Sequence, residues 1–151
     1  MLRARLNDEL KTAMKAKDQR AVSTVRLILA ALKDRDIAAR TKGNTEGIGE
    51  DEICELLQKM VRQRRESIEL YEQGKRLDLA QQEREEIAVI ERFLPRQMSD
   101  ADMAQAVSAV ITELGVNSIK DMGRVMAALK QRHSGQMDFS KASVLVKQRL
   151  S

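Results

Sequence analysis

Three charged residues fall where charges are costly. Arg64 sits inside a stripe formed by Ile53, Leu57, Met60, Val61, Ile68 and Tyr71, which share one side of a helix at 100° per residue. Glu83 and Glu86 fall in the apolar stripe of the next segment, with Leu79, Ile87, Ile90, Phe93 and Leu94. Burying an unpaired charge is expensive. The spacing therefore predicts that Arg64 pairs with Glu83 or Glu86 across a helix–helix interface, a structural ion pair that sets register more than it adds net stability.

Other reactive side chains are few. The single histidine, His133, and the single cysteine, Cys54, cannot build a His/Cys metal cluster or a Cys–His dyad. Cys54 lies at the edge of an apolar stripe, where a half-buried, inert thiol is expected. His133 falls in a last helical turn, where a partly charged imidazole suits the helix dipole. No Gly-x-Ser-x-Gly elbow occurs, and the glycines of residues 43–49 lack the Gly-Lys-Ser/Thr ending of a nucleotide loop. No catalytic residue, metal or cofactor is assigned.

The remaining candidates are cations. Arg62 and Arg65 flank Arg64, but Glu66 and Glu69 follow each of them by four residues, a spacing that favours local ion pairs. Lys75 and Arg76 follow Gly74, and Lys120, Arg124, Lys130 and Arg132 cluster toward the C-terminus. These eight are the candidate RNA contacts. A net charge of +4 permits an acidic partner without demanding one. With aromatics at 2% and no Trp, base-stacking platforms are nearly excluded, so contact with RNA would run through phosphate and sugar.

Seven helical segments must position these residues. Leu2, Leu6, Leu10 and Met14 predict a helix over 2–16. Asp18 caps a second to about Ala39, apolar nearly all round, with Leu27 pointing away from Val22, Val25, Ile28, Leu29 and Leu32. Residues 41–49 hold three of the seven glycines and read as a mobile loop. Glu50, Asp51 and Glu52 open a third helix, stopped by Gly74, and Asp78 starts a fourth. Pro95 marks a boundary. Beyond it, Ser99, Ser118 and Ser140 are expected to cap three further helices, with Phe139 stapled to Val144. Gly123, inside the sixth, reads either as close packing against another helix or as backbone left open to a phosphate or partner.

The expected fold is all-α: an N-terminal helical bundle of about four helices over 1–96, then a small three-helix domain over 97–151. Neither half is a dedicated basic module, since 20 basic and 18 acidic side chains in the first stand beside 7 and 5 in the second. No apolar run approaches the roughly 20 residues of a membrane span, and the first residues lack an apolar signal core. The expected location is cytoplasmic.

Six ordered segments resemble the GatB/YqeY family. They are Leu10-Lys-x-Ala-Met-Lys-x-Lys-Asp18, Val25-Arg-Leu-Ile-Leu-Ala-Ala-Leu-Lys33, Arg62-Gln-Arg-Arg-Glu-Ser67 with Tyr71, Gly74-Lys-Arg-x-Asp-Leu-Ala80 with Glu83 and Glu86, Phe93-Leu-Pro-x-Gln97, and Met122-Gly-Arg-Val-Met126. The chain looks like a free-standing member, similar to the C-terminal helical and tail region of the GatB subunit of tRNA-dependent amidotransferases. The resemblance implies a non-catalytic adaptor that binds tRNA or associates with an amidotransferase. The partners it implies are tRNA, or amidotransferase or synthetase proteins. The family label of carbon–nitrogen ligase, with glutamine as amide donor, then belongs to a larger assembly. A protein–protein adaptor using Met-rich C-terminal helices is the alternative.

Overall fold

The computed structural model describes residues 1–151. All regular structure is helical: α1 Leu2–Ala16, α2 Gln19–Arg40, α3 Glu50–Gln73, α4 Leu77–Glu91, α5 Asp100–Leu114, α6 Met122–His133 and α7 Phe139–Leu150, with a 3-10 turn at Ile119–Asp121 before α6. The chain forms two compact units, Met1–Leu94 and Pro95–Ser151.

In the first unit α1 and α2 are joined by a tight corner. Lys17 adopts a left-handed conformation (φ 57°), and the Asp18 carboxylate accepts the Ala21 N–H. The cap satisfies one of the amide donors orphaned at a helix start. Leu2, Leu6, Val25, Ile28, Leu32, Ile53, Leu57, Val61, Val89, Ile90 and Phe93 make one continuous core. Burial of each large aliphatic chain contributes about 1.5–3 kcal/mol relative to exposure. Helices α3 and α4 pack along most of their length, α2 packs on both α1 and α4, and α2 meets α3 only briefly. One polar atom in this core is orphaned: the hydroxyl of fully buried Thr24 has no hydrogen-bond partner.

Residues 41–49, expected as a mobile loop, are tied down at several points. Asp36 accepts two hydrogen bonds from the Arg3 guanidinium (both 2.7 Å) and one from the Ile48 N–H (2.9 Å), while Arg3 also donates to the Ile48 carbonyl. Asn44 folds the segment on itself by accepting from the N–H groups of Glu46 and Gly47. Ile48 is thereby buried in the core. A Cβ on Gly47, whose φ is +98°, would stand 2.6 Å from the Arg3 guanidinium. Nothing in the sequence marks this clasp, because Arg3 and Asp36 lie on helix faces that look solvated until the loop covers them.

The second unit buries Met103, Val107, Val110, Val125, Leu129, Met137, Ala142, Val146 and Leu150. The Ser99 hydroxyl caps α5 by accepting the Asp102 N–H, and Gly115 (φ 64°) ends it. Four local expectations are corrected. Ser118 caps the 3-10 turn by accepting the Lys120 N–H, and the cap position of α6 is Asp121. Helix α7 is capped by Asp138, which accepts from the N–H groups of Ser140 and Lys141, so Ser140 lies inside the first turn. Val144 is 55% exposed and cannot staple to Phe139, which packs on the core instead. In α4 the cap position is Arg76, with Asp78 already in the first turn. The cap corrections at α4 and α7 each shift a helix start by two residues, the usual latitude where several polar residues compete to cap.

Candidate functional site

The sequence candidates separate into two settings. In the first unit, Arg64 on α3 lies 2.9 Å from Glu86 and 3.9 Å from Glu83, both on α4, and also donates to the Met60 carbonyl. Arg20, at the start of α2, reaches Glu86 at 3.7 Å and Glu85 at 3.2 Å. Three helices thus meet through one charged network. Side-chain exposure is only 14% for Arg64 and 12% for Glu86, so solvent screens this network weakly. Burial, and then the neighbouring Glu86 charge, push the Glu83 carboxyl above its ordinary pKa, against the opposing pull of Arg64. Two carboxylates beside Arg64 resemble an acid–base pair in composition only. Both face Arg64, and Glu86 also meets Arg20.

The outer cations of this unit divide. Arg65 reaches across to Glu91 at 3.3 Å rather than along its own helix to Glu69. Arg76 folds onto Asp78 through two nitrogens at 3.2 and 3.3 Å. Arg84 pairs with Glu72. Arg62 is half-buried on α3, and Lys75 is exposed in a left-handed turn (φ 58°). Arg62, Arg65, Lys75 and Arg76 therefore do not make one open basic surface.

In the second unit the cations lie on or beside α6. Arg132 is held by a bidentate pair with Glu113 of α5 at 2.6 and 2.9 Å. That contact raises the Arg132 pKa and lowers that of Glu113. Arg124 makes a looser contact with Asp121, 3.6 Å away and 63% exposed. Lys120 and Lys130 are exposed and make no ion pair. At 100° per residue, Gly123, Arg124, Ala127, Lys130 and Gln131 share one face of α6, with Lys120 in the turn just before it. All six are exposed. The middle of that face is flat, because Gly123 and Ala127 carry little or no side chain. A Cβ built on Gly123 meets nothing within 4 Å. Close helix packing is thus not the reason for this glycine, and the backbone there faces open space.

The other functional-looking groups are quiet. His133 is half-buried and lines a groove of about 710 Å³ with Arg96, Met98, Asp102, Val110 and Arg132. Burial, followed by Glu50, Asp51 and Glu55, raises the Cys54 pKa, which disfavours the reactive thiolate. The methionines of the second unit mostly face inward: Met103 and Met137 are buried, and Met98, Met122 and Met126 pack against them.

A family model described as Yqey-like protein matches residues 3–150. The chain belongs to the YqeY-like family. Among curated proteins of this family, it is 34% identical over 113 residues to Altered inheritance of mitochondria protein 41 of Lachancea thermotolerans, covering 74% of this chain and 58% of that protein. The counterpart in Eremothecium gossypii is 33% identical over 113 residues, with 74% and 60% covered. That in Saccharomyces cerevisiae is 30% identical over 111 residues, with 72% and 58% covered. The chain thus spans somewhat over half the length of these relatives. Their names are mitochondrial, which overturns the cytoplasmic location expected from the sequence. Charge and composition describe a wet helical surface, which serves equally in either compartment. No helix is long and apolar enough to cross a membrane.

Proposed function

We propose that this YqeY-like chain is a non-catalytic adaptor that contacts tRNA through the exposed face of α6. In this reading the four-helix unit is a scaffold and residues 95–151 form a separate RNA-contacting domain. The observation that carries it is the flat strip of Gly123 and Ala127 edged by Lys120, Arg124 and Lys130. A phosphate backbone can approach such a strip closely, and flexible lysines without partners can meet it as point charges. The scarcity of aromatics fits contact by phosphate and sugar rather than by base stacking. In this reading carbon–nitrogen ligation with glutamine as donor belongs to a larger assembly.

Titration of tRNA against the full chain at low salt, repeated over a salt series, tests the proposal. The double variant Lys120→Glu/Lys130→Glu should weaken binding at every salt concentration. Losing two phosphate contacts should flatten the log–log salt slope by roughly 2 on a duplex. Absence of tRNA binding by the intact protein at low salt would reject the reading. The rival, a protein adaptor working through surface methionines, is disfavoured by the inward packing of Met103 and Met137.

A further inference from the structure

Leu27 of α2 edges a groove of about 420 Å³ lined by residues of α2 and α3. We propose that this groove docks an amphipathic helix of a partner protein, apolar along one stripe and acidic on its flanks. One half-exposed leucine is ordinary on a protein surface, but Leu27 (49% exposed) does not stand alone. It shares the groove with Ala31 of α2 and with Leu56 and Met60 of α3, whose sides form an apolar floor. Leu27 and Ala31 are one turn apart, and Leu56, Met60 and Arg64 mark two turns on the facing wall. At 1.5 Å per residue that wall is about 12 Å long, the reach of two helical turns with anchors at i, i+4 and i+7.

The rim specifies the sign of the partner. Arg35 on α2 and Lys59 on α3 stand on opposite walls and make no ion pair within the chain. Asp34 is the acidic residue of the groove, Gln63 is neutral, and the charge of Arg64 is already answered by Glu86 and Glu83. The uncompensated rim charge is therefore positive. A second copy of this chain is a poor occupant, because a two-fold contact here would set one net-positive rim against another. RNA is also a poor occupant, since an apolar floor without aromatic rings offers a phosphate backbone nothing.

The probe is a labelled synthetic helical peptide of about 16 residues, with Leu at i, i+4 and i+7 and Glu on both flanks. A twin carries Lys at the flanking positions. Fluorescence polarisation against the full chain should show saturable binding of the Glu peptide, at least about tenfold tighter than the Lys peptide. Leu27→Asp, a surface change whose fold is checked by circular dichroism, should abolish it. Arg35→Glu/Lys59→Glu keeps the apolar floor and should reverse the preference between the peptides. No saturable binding up to about 1 mM, equal binding of both peptides, or binding unchanged by Leu27→Asp would overturn the proposal. So would self-association or tRNA binding that Leu27→Asp removes, because either would assign the groove to another occupant.

Discussion

Arginine and lysine play different parts in the two units. In residues 1–94, arginines join helices: Arg3 to Asp36, Arg20 and Arg64 to Glu86, Arg65 to Glu91, and Arg92 to Glu9. In residues 95–151 Arg132 pairs with Glu113, Arg149 donates to Ser108 and Lys141 reaches Asp100 at 3.9 Å, while Lys120 and Lys130 remain open beside a flat strip of α6. The planar guanidinium can hold two carboxylate oxygens at once, which suits it to fixing helices. A lysine ammonium is a mobile point charge, better suited to an anion that arrives from outside. A basic cluster in sequence therefore says little about binding until its acidic neighbours in space are known.

The contrast can be broken at its deepest point. Arg64→Ala should cost the first unit about 3 kcal/mol, because it leaves Glu83 half-buried beside Glu86, which keeps only its longer contact with Arg20. Urea unfolding followed by residue-resolved hydrogen exchange should show the loss in α2, α3 and α4, with protection of α5–α7 unchanged. Equal loss in both units would end the distinction drawn here. Asp36→Asn comes next, at about 2 kcal/mol for two charged hydrogen bonds at a partly screened site. The Arg3 guanidinium lowers the Asp36 carboxyl from its usual 3.8 to about 2. Its contribution is therefore complete above pH 3.8 and lost as pH falls through 2. Asp36→Asn should remove that part of the acid dependence. Glu83 has the opposite sign: its pKa is raised, so the folded state takes up a proton before the unfolded chain does, and stability falls as pH rises through that window. Glu83→Gln should flatten this rise on acidification, as read from melting temperatures across acidic pH.

Much of the helical frame was legible because helix starts carry their own chemistry. Asp18 and Ser99 cap as their sequence positions suggest, and the glycines at 74 and 115 end helices. What stayed hidden depends on long-range closure. Nothing around Arg3 or Asp36 marks them as partners 33 residues apart. Arg20 lies on a polar-looking helix start, and only the packing of α2 on α4 brings it to Glu86. The groove beside Leu27 was half-visible: the residue pointed away from its apolar neighbours, but whether another helix covered it could not be read from periodicity. Gly123 allowed two explanations, and only the empty space around its Cβ direction separates them.

Smaller effects sharpen the comparison in the second unit. Gly123→Ala should stabilise it by up to about 1 kcal/mol, since a methyl there meets no atom and the helix gains propensity. The same variant should weaken tRNA binding slightly if the bare backbone matters. Arg132→Ala should leave stability nearly unchanged, because its pair with Glu113 is solvent-exposed. Thermal melts of the two single variants suffice to check both.

The clasp of Arg3 on Asp36 and Ile48 also bears on the order in which the first unit assembles. The α3–α4 hairpin turns within a few residues around Gly74, so its closure entropy is small and it can form early. Arg3 must instead find Asp36 and Ile48 across 33 and 45 residues of chain. A contact of that separation is expected to form late, after the folding transition state. Its removal should accelerate unfolding and leave the refolding rate nearly untouched. In stopped-flow chevrons of Asp36→Asn the unfolding limb should move alone. The clasp then acts as a latch on the lifetime of the folded bundle rather than as a guide to reaching it.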